Sequence, residues 1–385
     1  MPDFEASVLV ALAAAAALAV SGVAGAQVLA TSDQGPSATQ KDAEPKAPPL
    51  AWHGSLFVWD HAVTTQTIGL GADYQSSNPT YEMTLRLAPR FYFFENKQNT
   101  VSARADVRLV REFTNSDTTT ERGEWTFLDS ELWLAETQTL DGSGAHHSEL
   151  VFRAPMLVLP TSKSSYTSGR LLALGLGVGL DQRVPLRGEG AKFLPSLLLR
   201  PRANYTYQFA ESVVGTNDAI DRYRLDADGR TVRSDQLSGS ALPQHQAVAS
   251  LRVDTSLSSQ FELVTEFGMR YARRYALADS TLVTGPDTGP VLVESRSDAS
   301  RWSVSTLFAA SLAYVPLDYL EVSVGYINQS LQLGADGRRR SFFYSPEAQA
   351  FLAFTVALDV LYQRTRGVES GESSHTATAR GRPVF

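Results

Sequence analysis

The chain contains no cysteine, which excludes structural disulfides, thiolate metal sites and a lipid-modified cysteine behind a leader. It is also short of positive charge. The 34 Lys and Arg stand against 41 Asp and Glu, a net charge of −7, so there is no basic field to gather DNA or RNA and nucleic acid is not an expected partner. A long hydrophobic run occurs only near the start, and no clear helical periodicity follows residue 30. A chain of 385 residues could hold two ordinary domains or one large barrel, and the lack of helical stretches favours the barrel.

The ends read as separate from the body. Residues 1–26 are expected to be a signal peptide: the Ala-rich run Ala6 to Ala19 precedes Ala24-Gly25-Ala26, whose small residues suit a signal peptidase, although Asp3 and Glu5 replace the usual basic start. An uncleaved helix is the alternative, but the run leans on weakly hydrophobic Ala and a helical span wants roughly 20 strongly apolar residues. Residues 27–51, polar and Pro-rich from Thr31 to Pro49, read as a disordered periplasmic spacer. Residues 52–363 are expected to form the barrel, and 364–385 a polar periplasmic tail.

What fills the body is alternation. From Tyr81 to Phe93, Tyr81, Met83, Leu85, Leu87, Phe91 and Phe93 share one parity, while Glu82, Thr84, Arg86 and Arg90 share the other. Such a strand has one greasy and one charged face. It also exceeds the roughly 5 to 6 residues usual for globular strands and matches the 9 to 11 that cross a bilayer on a tilt. About a dozen such runs can be counted. The first is read as Thr65 to Tyr74, the fifth (Glu149 to Leu159) has its pairing put in doubt by Pro155, and the last runs from Gln349 to Tyr362. Short connections such as Leu257 to Gln260 and Pro316 to Asp318 alternate with long polar ones such as Glu211 to Gln244 and Ala278 to Ala299, the link Gln75 to Pro79 being an exception. That alternation, an even count and aromatics near both strand ends are the marks of a membrane barrel. The charged fraction of 19% fits a wall of which half faces a polar interior. The expected fold is therefore all-β: a transmembrane antiparallel up-and-down β-barrel of about 12 strands. A secreted two-sheet protein is the alternative.

From about Trp52 to Tyr362 this pattern resembles bacterial outer-membrane β-barrels of the porin-like or transporter type. The resemblance implies the cell outer membrane as location, outer-membrane lipids and the barrel assembly machinery as partners, passage of a small solute, no cofactor and no enzymatic activity. Barrels of this kind usually finish on an aromatic residue read during assembly. Phe385 follows a stretch without alternation, so Leu352 to Tyr362 is taken as the assembly signal.

The charged parity supplies the candidate site. Arg86, Arg90, Arg104, Asp106, Arg108, Arg200, Arg202, Arg252, Glu262, Glu266 and Arg270 are expected to line a lumen. Unpaired buried charge is costly, so these groups are paired or wet. One reading is a salt-bridged ladder that stiffens the wall, giving a structural or surface-interaction barrel with a closed lumen. The other is a passive channel whose Arg-dense strands favour anions. A third class, a barrel phospholipase or protease, rests on His146-x-Ser148 and on His245 with Asp221 or Asp254. Two further motifs have plain readings: Gly175-x-Gly177-x-Gly179 leaves room for bulky neighbours inside a strand, and Asp226-x-Asp228-Gly229 is a turn lacking a full calcium ligand set.

Overall fold

The computed structural model describes residues 50–366 except 66–79, 97, 115–122, 142–146, 187–195, 217–222, 226–230, 234–236, 278–279, 285–290, 296–299, 334–338 and 346–347. The expected signal peptide, nearly all of the spacer and nearly all of the tail lie outside these residues.

Twelve strands form one closed ring. They are β1 (Leu56–Thr64), β2 (Tyr81–Ala88, continued beyond Pro89 as Arg90–Glu95), β3 (Asn99–Glu112), β4 (Ser130–Asp141, preceded by Trp125–Phe127), β5 (His147–Leu159), β6 (Arg170–Pro185), β7 (Ser196–Ala210), β8 (Pro243–Ser256), β9 (Phe261–Arg274), β10 (Trp302–Leu317), β11 (Leu320–Leu331) and β12 (Gln349–Ala357). Each strand pairs antiparallel with its chain neighbours. The seam is closed by β1 and β12, whose register runs from Leu56 opposite Ala357 to Thr64 opposite Gln349. Closure leaves no edge strand, and at about 4.8 Å spacing and about 40° tilt it sets a backbone radius of roughly 12 Å.

Three expectations need correction. The first strand is Leu56–Thr64, ahead of the run proposed from the sequence, most of which lies outside the described residues. With that shift the link from β1 to β2 spans residues 65–80, and the one exception to the alternation of short and long connections disappears. Pro155 does not unpair the fifth strand: β5 is bonded on both sides, and the register shifts between Arg153 and Met156 so that the imide falls where no ladder N–H is needed. The last strand ends at Ala357, and Leu358–Thr365 forms a helix instead.

Two short helices serve the rims. In the β5–β6 connection, α1 (Lys163–Thr167) is capped by Ser162, whose Oγ accepts from the Ser165 N–H at 3.0 Å. After β12, α2 (Leu358–Thr365) is tied to the β10–β11 turn by Arg364 Nη1 and Asp318 at 2.8 Å, and to the chain before β1 by the edge-on contact of Tyr362 with Trp52. The aromatic end of the expected assembly signal therefore sits on a helix. Two long connections carry their own hairpins: Val214–Thr216 pairs with Leu237–Ala241, and Ser280–Thr284 with Val291–Ser295.

Candidate functional site: the inner wall

Burial identifies the inward parity. On β1, Val58, Asp60, Ala62 and Thr64 are buried, while Trp59 among them is 40% exposed. The register carries this parity around the ring. Arg86 faces Arg108, Arg90 faces Arg104, Arg200 faces Arg252, and Arg252 in turn faces Glu266. Arg202, Asp106, Glu262 and Arg270 occupy the same face, opposite Ser250, Glu131, Ala313 and Ser305 respectively.

Shared carboxylates organise most of the cations. Asp106 accepts from Arg86 Nε at 2.7 Å through one oxygen and from Arg108 Nε at 2.7 Å through the other. Asp254 likewise stands between two cations, accepting from Arg252 Nε at 2.6 Å through one oxygen and forming an ion pair with Arg200 Nη1 at 3.0 Å through the other. Arg202 pairs with Asp181 and also donates to the Leu180 carbonyl at 2.9 Å. Asp106 and Asp254 thus each hold two side chains from adjoining strands, because i and i+2 on one strand and the cross-strand partner point to one face.

The glycines of β6 make this arrangement possible. A Cβ on Gly179 would lie 2.3 Å from Arg202 Cδ, one on Gly177 would lie 2.2 Å from Asn204 Oδ1, and one on Gly175 would meet the Tyr205 carbonyl at 2.5 Å. The long side chains of β7 lie across this bare track, so Arg202 reaches Asp181 instead of projecting inward.

Elsewhere the wall carries fewer charges, with Asp60 on β1 and Glu321 on β11 buried on the inward parity. Leu307, Ala309 and Ala313 on β10, Ser323 on β11, and Phe351 and Ala353 on β12 are buried on the inward parity. Val58, Ala62, Phe351 and Ala353 form one cluster with Ile327 against it, and Phe351 occupies the space above Gly325, where a Cβ would sit 2.5 Å from its ring. Toward the long connections, Arg270, Ser305, Ile327 and Gln329 border a cavity of about 430 Å³.

Sequence reasoning missed several inward groups. Asp60 went unseen because β1 is apolar on both parities, with Phe57, Trp59 and Val63 opposite Val58 and Ala62. Arg153 was missed because the shift at Pro155 breaks the parity count; its position opposite Ala135 and Gly177 places it inward. Asp181 and Glu131 follow from the same register.

The hydrolase candidates are held in other ways. Ser148 Oγ donates to Gln182 Oε1 at 2.7 Å, and His146 lies outside the described residues. His245 bonds through Nδ1 to the Tyr205 hydroxyl at 2.7 Å on the outward parity, whereas Asp254 faces inward on the same strand. Asp221 and the acids Asp218, Asp226 and Asp228 lie outside the described residues.

The outward parity is the reverse of the inner wall. Leu132, Leu134, Leu174, Leu176, Leu251, Leu263, Leu312 and Val324 are all exposed. At the short-turn rim this band ends in Phe91, Phe93 and the stacked pair Phe261 and Tyr314, 4.9 Å apart. At the other rim it ends in Tyr81 stacked on Phe113 at 5.2 Å, with Arg111 over Phe113 and Trp125, and Arg273 over Trp302. A closed ring wrapped by an apolar band between two aromatic girdles suits hydrocarbon, since the strands are bonded to a neighbour on both sides around the ring. The chain is a closed antiparallel β-barrel of twelve strands. No family model and no curated protein matches its sequence. Among solved structures, the barrel is similar to an outer membrane channel from Pseudomonas putida F1, with 9% identity over 83% of this chain and 99% of that one and a TM-score of 0.46. It is similar also to the KdgM porin, with 7% identity over 78% and 98% of the two chains and a TM-score of 0.31. For the NanC porin the figures are 9% identity, 78% and 98%, and 0.34.

Proposed function

We propose that the barrel is a passive channel of the outer membrane that admits small solutes, with the charged side of its inner wall setting their preference. The observation that carries this reading is the segregation of charge. Arginines and carboxylates gather on the inward parity of β2 to β9, while the outward parity of the same strands is apolar. A wall needed only for stability gains little from buried ion pairs, because their desolvation offsets most of the attraction. A wall that meets water and solute gains a field. In this reading the short connections and both chain ends face the periplasm, the long connections face outward, and the assembly machinery and outer-membrane lipids are the partners of insertion.

Folded protein in a planar bilayer is expected to give discrete conductance steps whose reversal potential departs from zero in a salt gradient. A folded barrel that inserts without conducting would overturn the proposal. It would favour the second reading, a structural barrel closed by its own ladder, to which the cluster of Val58, Ala62, Phe351 and Ala353 on the inner wall lends support.

A further inference from the structure

Arg90, Arg104 and Arg153 differ from the arginines around them. Arg86, Arg108, Arg200, Arg202 and Arg252 each pair with an aspartate, yet among the described residues no carboxylate lies within 4.0 Å of these three. Their contacts are neutral. Arg90 Nη1 donates to the Tyr92 hydroxyl at 2.8 Å, and Arg104 Nε donates to Ser102 Oγ at 3.3 Å. The Arg153 guanidinium lies over the Trp133 ring, 6.0 Å from its centre, with its buried Nε unpartnered.

The three are gathered by register. Arg90 stands directly opposite Arg104, Arg104 directly opposite Trp133, and Arg153 opposite Ala135, two residues along from Trp133 on the same face. Arg153 thus lies over the indole, Arg104 stands beside the indole on the next strand, and Arg90 stands beside Arg104 on the strand beyond. The cations near Arg104 are Arg90, Arg153 and Arg202, and Arg202 is held by Asp181. Arg90 is also fixed from behind, since its Nη1 would lie 3.1 Å from a Cβ on Gly54, whose φ is +72°. Like charges directly opposite one another on a sheet repel. Asp181, already held by Arg202, and Glu131 are the acids near Arg153, but neither is within 4.0 Å of the three guanidiniums, and a cluster that lacks such a pairing has room for a counter-charge from outside.

We infer that Arg90, Arg104 and Arg153 form a binding subsite for a small solute carrying several oxyanion charges, a phosphoryl compound or a polycarboxylate. Guanidinium forks match the paired oxygens of either group, and Trp133 gives the subsite an apolar floor. The inference rests on the channel reading for its biological sense, but its test does not. Full-length folded barrel in detergent is titrated calorimetrically with pyrophosphate and, separately, with citrate at low ionic strength. Saturable binding of at least one probe is expected, and the tighter probe assigns the class. Arg104→Gln and Arg153→Gln should each weaken it at least tenfold, Arg153→Lys less. Arg86→Gln, which leaves Asp106 held by Arg108, should change it less than twofold. Gel mobility of unheated samples verifies that each variant is folded. Absence of saturable binding to the wild-type protein, or binding unmoved by both glutamine variants, would overturn the inference. Conductance without binding removes the subsite and keeps the channel; binding without conductance keeps the subsite and removes the channel.

Discussion

The two sides of the inner wall solve the same packing problem with different chemistry. From β2 to β8 the wall is built from long cations bridged by single carboxylates, as where Asp106 holds Arg86 and Arg108 and Asp254 holds Arg200 and Arg252. From β10 through β12 to β1 it is built largely from small or apolar side chains such as Ala309, Ala313, Ala353, Val58 and Ala62. The first side holds charge that is for the most part paired within the wall, and the second fills space. The difference makes the two sides respond unequally to substitution.

The largest effect should follow Asp254→Ala, which removes a carboxylate partner shared by two arginines whose side chains are 6% and 12% exposed. A loss of about 3–5 kcal/mol is expected in a reversible urea unfolding series in lipid vesicles. Next is a control on the outer face that both sides share: Leu176→Arg, on the apolar band in the middle of β6, should cost about 2–4 kcal/mol in the same assay. An unchanged midpoint would mean that this face does not meet hydrocarbon. Gly175→Val probes the bare track beneath the charged side; with a Cβ only 2.5 Å from the Tyr205 carbonyl, overpacking of about 1–3 kcal/mol is expected. The smallest effect belongs to the space-filling side. Ile327→Val, at the margin of the Phe351 cluster, should cost about 0.5–1.5 kcal/mol. If it proves as damaging as Asp254→Ala, the two sides do not differ as described.

Much of this was legible before any coordinates, for a physical reason. Strands between hydrocarbon and a polar interior must alternate with period 2, so β2, β3, β7, β9 and β10 announce themselves, together with the inward residues that they carry. The failures fall where alternation stops being informative. β1 is apolar on both parities, because its inward Val58 and Ala62 belong to the space-filling side. The end of β12 looked longer because Leu358, Val360 and Tyr362 continue the i, i+2 pattern, yet the chain turns there into α2, with Asp359 and Val360 buried. Arg153 was hidden by a one-residue register change at Pro155, although it belongs with Arg90 and Arg104.

One arrangement had no signal in the sequence at all. After β11 the chain turns back over the outer face: Phe342 stacks on Phe267 and Phe343 packs edge-on against Phe308, both on the outward parity. Asn328 Nδ2 donates to the Phe342 carbonyl at 3.0 Å, and the Tyr326 hydroxyl to the Phe343 carbonyl at 2.7 Å. These side chains satisfy backbone groups that hydrocarbon could not. Which residues would accept the returning segment is decided by contacts between distant parts of the chain, and periodicity carries no information about them.

The central claim is that the apolar parity meets lipid and the charged parity meets water. Because the chain has no cysteine, single labelling sites can be introduced cleanly, at Leu176 on the outward parity and at Gln329, beside the cavity, on the inward one. Collision rates of a nitroxide at each site in lipid vesicles test the claim most directly. The account predicts that a label at Leu176 is relaxed by dissolved oxygen and shielded from a water-soluble nickel chelate, with the opposite ranking at Gln329. A label at Leu176 that is relaxed chiefly by the nickel chelate would contradict it.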